Sequence, residues 1–271
     1  MAPVALDAIV LQVFPYSETS KILRLLTRTH GVRSAIARGA MRPRSHYGGV
    51  LELFAEGVAT FYLREGRELQ TLSAFELARG HQALGRNLVR FGAASLLAEL
   101  VLRTASEEAQ PELYDAFRAA LAALEQAPDE AVEGAALARV WHLVAHLGFA
   151  PALEECVACG RPLAREEDVS FDHTAGAVRC AACAPSVGAP AGRPLPAFAR
   201  QALDGFLRGE SVPTPARTAA HWALLRRFLF HHVVEGHELH SLDFLEEALR
   251  ATVTSGAAGA DGADGADGAK G

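Results

Sequence analysis

Long apolar runs are missing from this 271-residue chain. No charge-free stretch reaches the ~18 residues that a membrane-spanning helix needs. The longest, from Val140 to Leu153, is interrupted by His142 and His146. The first residues carry no basic lead and are broken by Asp7, so they do not read as a secretion signal, and a cytoplasmic location without membrane contact is expected. There are only four cysteines. In a reducing compartment they favour metal ligation over disulfides. A phosphate-cradling Gly-x-x-x-x-Gly-Lys-Ser/Thr loop is absent, which argues against P-loop nucleotide hydrolysis. His142 and His146 share a helical face, but Leu143 stands where a zinc protease places its glutamate, so the pair reads as helix packing or capping. His231, His232, His237 and His240 cluster near a helix end, where metal binding is one reading and partly exposed polar groups beside a helix C-terminus the favoured one. No catalytic site is legible, and a non-enzymatic protein is expected.

Acidic residues are also missing from one long segment. The net charge is −6, yet nothing between Glu18 and Glu52 is negative, while Lys21, Arg24, Arg28, Arg33, Arg38, Arg42 and Arg44 all fall inside. Residues 1–80 carry ten basic and seven acidic side chains, and residues 81–155 carry five and eleven. Seven cations so placed create a local positive potential that suits a polyanion. Tyr47, with Phe14, Tyr16 and Phe61, offers candidate stacking surfaces for unpaired bases. For any single arginine, an ordinary solvated strand face is the competing possibility.

Local patterning divides the chain. Val4 to Phe14, Lys21 to Arg28, Val32 to Arg38, Val50 to Leu63 and Glu68 to Leu77 read as strands, with turns at His30-Gly31, Tyr47-Gly48-Gly49 and Glu65-Gly66. Five strands before any helix predict a closed or nearly closed small barrel. From Gln82 the period becomes helical, with Leu84, Leu88, Phe91 and Ser95 on one face, widened by Leu97, Leu100 and Val101. Pro111 starts a second helix through Leu124, and Val132 to Leu147 makes a third. Residues 152–184 lose that period and hold every cysteine. Helical spacing returns after a Pro/Gly-rich connector, Pro185 to Pro196, at Phe198–Leu207, Thr218–Val234 and Ser241–Leu249. The expected architecture is α+β. An N-terminal barrel (1–80) precedes an all-α domain (81–151 and 185–250) interrupted by a small cysteine module (152–184). The Gly/Ala/Asp segment 251–271 is expected to be disordered.

Cys156-Val-Ala-Cys159 and Cys180-Ala-Ala-Cys183 stand twenty residues apart. Two such turns converge four thiolates on one structural zinc ion, and Gly160 supplies the backbone freedom such a turn needs. Two local disulfides or four free thiols would require the paired spacing to be accidental. His173 lies between the pairs as a possible substitute ligand, though a loop histidine is more often simply exposed.

These residues resemble the RecO family of bacterial DNA repair and recombination proteins. The resemblance is carried by AIVLQVFPYSETSKILRLLTRTHGVRSAIARGAMRPRS, GGVLELF, WHLVAHLGFAPALEECVACG and SLDFLEEAL, in order over residues 4–250. It implies an OB-fold barrel, a helical domain and a zinc-binding insert. It further implies a nucleoid-associated recombination mediator that binds single- and double-stranded DNA, anneals complementary strands, associates with RecR, contacts the acidic tail of single-stranded DNA-binding protein and helps RecA load. DNA binding would fall on Lys21, Arg24, Arg28, Arg33, Arg38, Arg42 and Arg44, and zinc on Cys156, Cys159, Cys180 and Cys183. Charge alone suggests Arg200, Arg217, Arg226 and Arg227 for the acidic tail. Two readings compete: a zinc-containing protein–protein adaptor whose barrel is only a scaffold, and a metal-dependent nuclease or hydrolase, which the absence of an acidic cluster disfavours.

Overall fold

A computed structural model describes residues 3–64, 66–184, 192–210 and 218–260. Five strands come first: β1 (Val4–Pro15), β2 (Lys21–Thr27), β3 (Gly31–Ala37), β4 (Glu56–Tyr62) and β5 (Leu69–Arg79). They close into a barrel in the order β1-β2-β3-β5-β4. All neighbours are antiparallel except β3 and β5, which run parallel with Ile36 beside Thr71. Period-two alternation sends Leu23, Leu25, Ala35, Ala37, Ala59, Phe61 and Leu72 into the barrel interior. Closure leaves no unpaired sheet edge, and the result is an OB-fold.

The fourth strand is shorter than the Val50 to Leu63 run read from the sequence. Phe54 adopts a left-handed backbone (φ +65°), which breaks the extended chain before Glu56. Its N–H donates to the Val10 carbonyl at 2.8 Å, and its buried ring meets Phe91 edge-on at 6.1 Å. Burial of that ring, worth about 1.5–3 kcal/mol, offsets the local strain.

A 3₁₀ turn (Gln82–Arg86) leads to α1 (Leu88–Thr104), whose first amides are capped by the Asn87 side chain, with Val89 N–H at 2.9 Å. α2 (Pro111–Gln126) begins on its proline, and α3 (Val132–His146) follows. The face expected for α1 is only partly right. Leu88 is exposed, whereas Val89, Ala93, Leu96, Leu97, Leu100 and Val101 are buried, because α1 is central and meets α2, α3 and α6. After the cysteine module come α4 (Ala197–Leu207), α5 (Thr218–Phe228) with a π turn (Leu229–Val233), and α6 (His240–Ala260). α6 runs through the first ten residues of the segment expected to be disordered. The rest of that segment, residues 261–271, lies outside the described residues.

The module forms a four-stranded sheet in the order β6-β8-β7-β9, from β6 (Ala152–Cys156), β7 (Val169–Asp172), β8 (Ala177–Arg179) and β9 (Arg193–Leu195). β9 falls in the expected connector, of which residues 185–191 lie outside the described residues. A second apolar core, separate from the barrel interior, links barrel, helices and module. It joins Ile9, Leu26 and Val32 from the barrel's outer side, Trp141 and Phe228 from the helices, and Phe171 and Val178 from the module.

Candidate metal centre and nucleic-acid interface

The two Cys-x-x-Cys turns are brought together by strand pairing. β6 and β8 run parallel with Cys156 beside Val178, so the turn after β6 lies against the turn after β8. Gly160 takes φ +69°, and its N–H folds back to the Cys156 carbonyl at 2.8 Å. In the second turn the Cys183 N–H donates to the Cys180 carbonyl at 3.0 Å. All four sulfurs lie within 4.8 Å of one another, with Cys159 and Cys180 4.0 Å apart. None is in a disulfide. Four sulfurs at ~2.3 Å from a tetrahedral ion would stand about 3.8 Å apart, so the donor set and its spacing fit one thiophilic metal ion.

The electrostatics agree with that fit. Burial pushes the Cys156 thiol up, but the amides of Cys180, Cys159 and Ala158 more than offset it and bring the group down to about 6. Cys183 is pushed up to about 12, because its thiol shares hydrogen bonds with the neighbouring Cys180 and Cys159 sulfurs. Four crowded sulfurs cannot all ionise without a cation among them. Arg161, which the sequence reading missed, brings a positive charge to the rim. Its guanidinium is bonded to Glu167, at 3.1 Å through Nη1, and Glu167 together with the Cys180 sulfur favours its charged form. Only its position directly after Gly160 could have signalled it. His173 is neither a ligand nor freely exposed. It is half-buried, with its ring 5.3 Å from that of Phe171, and stands outside the sulfur cluster.

The seven cations of the basic segment separate into two groups. Arg28 pairs with Asp115 of α2 at 2.9 Å, and Arg33 pairs with Glu107 in the loop before α2. The segment therefore does have counter-charges, supplied by the acidic helical region rather than by its own sequence. Arg24 lies on the outer side of β2, between Gln12 of β1 and Ser34 of β3, and its buried Nε has no hydrogen-bond partner. Lys21 Nζ donates to the Leu51 carbonyl at 3.1 Å. Arg38, Arg42 and Arg44 are exposed on the loop after β3, and among the described residues none of the three is in an ion pair.

That loop is a chain of tight turns, including Arg42 N–H to the Gly39 carbonyl at 3.1 Å, and it is fastened to the β1–β2 turn by Met41 N–H to the Thr19 carbonyl at 3.0 Å. The same end of the barrel carries Phe14 and Tyr16, 42% and 61% exposed. Two of the four expected stacking residues are unavailable. Phe61 fills the barrel interior, and Tyr47 is buried with its hydroxyl donating to the Leu72 carbonyl at 2.7 Å. An aromatic's period-two position inside a closed barrel decides this, and loop residues such as Tyr47 carry no such period.

The expected basic pocket of the later helices does not form as read. Arg200 is buried and donates to the carbonyls of Leu153, Ala164 and Arg165. Arg226 pairs with Asp243 and Glu246, Arg217 lies outside the described residues, and Arg227 is half-buried. Among the described residues no helix is long and apolar enough to cross a membrane.

Comparison with known proteins covers almost the entire chain. The profile described as Recombination protein O N terminal matches residues 1–81, and Recombination protein O C terminal matches residues 85–243. The DNA repair protein RecO of Anaeromyxobacter dehalogenans (strain 2CP-C) is 36% identical over 258 residues, covering 91% of this chain and 97% of the relative. That of Myxococcus xanthus is 30% identical over 89% of this chain and 96% of the relative. That of Symbiobacterium thermophilum is 34% identical over 68% and 72%.

Proposed function

The chain belongs to the recombination protein O family, whose members serve DNA repair and recombination, and from that premise we propose that it is a recombination mediator that binds single- and double-stranded DNA and anneals complementary strands. The observation that carries this reading is the end of the barrel where Arg38, Arg42 and Arg44 stand exposed without ion pairs beside Phe14 and Tyr16. Guanidinium groups hold phosphates and release counterions, and aromatic faces accept bases of any sequence. Lys21 and Arg24 extend the contact along the barrel. Arg28 joins it where phosphate competes with Asp115, an exposed and therefore weak pair, and Arg33, mostly covered and bonded also to the Glu107 carbonyl, joins it less readily. Two complementary strands brought onto positive surface repel each other less, so pairing is accelerated without any bond being made or broken.

Cys156, Cys159, Cys180 and Cys183 would hold one Zn²⁺. Four thiolates leave no open position on the ion, so it supplies structure by pinning the module's turns. The family premise further supports work at the nucleoid in the cytoplasm, association with RecR, contact with the acidic tail of single-stranded DNA-binding protein, and help in loading RecA. A strand-annealing assay on oligonucleotides coated with that protein, with and without RecR, tests these partners. No acceleration in either condition would overturn the mediator reading.

The interface has a quantitative test. With about four to six phosphates engaged, the log–log salt slope on single strands is expected near −3 to −4. Reversing Arg38, Arg42 and Arg44 together to glutamate should reduce the slope by about 2 units, from roughly 0.7 per lost contact. An unchanged slope would place DNA elsewhere and leave the barrel a scaffold.

A further inference from the structure

Away from the cysteines, the fold brings two imidazoles into direct contact. His142 and His146 lie one turn apart at the C-terminal end of α3, with their Nε2 atoms 3.2 Å apart and their ring planes at 89°. His142 Nδ1 stands 3.0 Å from the carbonyl oxygen of Leu207, the last residue of α4. A carbonyl can only accept, so Nδ1 carries the ring proton and His142 Nε2 keeps its lone pair. Two imidazole nitrogens at about 2.0–2.1 Å from a tetrahedral cation stand roughly 3.4 Å apart. The observed nitrogen spacing therefore matches a shared ion, which would take the place of the proton that His146 Nε2 now donates to His142 Nε2, His146 keeping its ring proton on Nδ1 instead.

We propose that His142 and His146 form a bidentate site for a divalent transition-metal cation of the Zn²⁺, Ni²⁺ or Cu²⁺ class, separate from the four-sulfur centre. Imidazole suits these ions, and the half-buried His142 and exposed His146 leave the remaining coordination positions open to water. The C-terminal end of α3, whose last carbonyls of Leu143, Val144 and Ala145 are capped by the amides of Leu147, Phe149 and Gly148, still carries the negative pole of the helix dipole, which favours a cation there. Burial and the adjacent His142 ring hold His146 below its ordinary pKa, which keeps it neutral and able to ligate at pH 7, while Glu112 of α2 adds negative charge. The opposing charge is Arg139, which is directed at the Gly209 carbonyl, 3.3 Å from its Nη2. Leu143 occupies the position at which a helical two-histidine hydrolase carries its base, so the site binds without hydrolysing. Because Leu207 holds the first ring, a cation on both Nε2 atoms ties the end of α3 to the end of α4.

The test uses the untagged full chain with its sulfur centre saturated with Zn²⁺, titrated with Ni²⁺ by calorimetry. One Ni²⁺ per chain is expected, weakened about tenfold or more in His146→Ala and in His142→Ala. The zinc content should remain at one ion throughout. His146→Ala changes an exposed side chain and keeps the test valid if His142→Ala folds poorly. Absence of Ni²⁺ binding in the parent chain overturns the site. So does binding of undiminished strength in His146→Ala, which would place the ion on His231, His232, His237 or His240 instead.

Discussion

Asp172 shows how much one side chain can hold. It is nearly inaccessible, accepts the amides of Thr174 and Ala175 at 3.0 and 3.1 Å, and pairs with Arg179 at 2.6 Å, closing the β7–β8 hairpin next to the second cysteine turn. Burial pushes its carboxyl up, but the Ala175 and Thr174 amides and the Arg179 guanidinium bring it below the ordinary carboxylate value. The folded form therefore prefers the charged state. Its contribution is complete above the unfolded value of about 3.9 and is lost as pH falls through the depressed folded value. Asp172→Asn should destabilise the protein by about 2–3 kcal/mol at pH 7, and chemical denaturation should show the gap closing below pH 4. A gap that stays constant with pH would remove this account. The four cysteines were legible because two Cys-x-x-Cys turns at this separation seldom arise unless their sulfurs share an ion. Asp172 and Arg161 were not, since a charged residue in a loop-rich segment looks the same whether it faces water or a sulfur cluster.

At the scale of elements, the module consists of short strands, two of them only three residues long. Such strands are marginal alone, and the module depends on its sulfur centre and on Phe171 and Val178 in the shared core. Cys159 is the cysteine to change, because it is exposed and contributes little to packing. If the four sulfurs hold an ion as proposed, Cys159→Ser should release it and lower the melting temperature by several degrees, since each kcal/mol shifts a domain of this size by about 2–4 °C. Elemental analysis with thermal denaturation checks this, and an unchanged melting point in metal-free protein would show that the ion carries no structural load. Element type was readable along most of the chain, because periods of two and 3.6 residues separate cleanly. Boundaries were not readable where tertiary contact overrode pattern. Phe54 leaves its strand to reach Phe91, and α1 is buried on several sides, so its apolar residues trace no single face.

At the scale of the molecule, the acidic and basic regions that looked like separate functional signals turn out to face each other. Arg28 and Arg33 meet Asp115 and Glu107 at the seam between barrel and helices, where the Val32 N–H also donates to the Ser106 carbonyl at 3.2 Å. The seam closes around Gly31. Its φ is +60°, and a Cβ there would stand 2.4 Å from the carbonyl oxygens of both Ser106 and Glu108. Gly31→Ala combines a left-handed backbone with a backbone clash, and more than about 3 kcal/mol of destabilisation is expected. Barrel and helices should then unfold in separate steps, resolved by comparing tryptophan fluorescence, which reports Trp141 and Trp222 in the helices, with far-ultraviolet circular dichroism. A single coincident transition of parental stability would show that the seam tolerates the methyl group. Linear charge counts revealed the asymmetry between the two regions. They could not reveal that it is partly cancelled in space.

The continuous core also bears on how the protein is made. Every barrel strand has been translated once residue 79 emerges from the ribosome, yet the outward side chains of Ile9, Leu26 and Val32 are covered only by partners that follow, with Leu242 and Leu245 of α6 among the last contributors to that core. Until α1 and the segment around Ser106 have followed, the nascent chain therefore carries a finished barrel with a bare oily flank. That flank is a natural landing place for a chaperone until the first long helix closes over it.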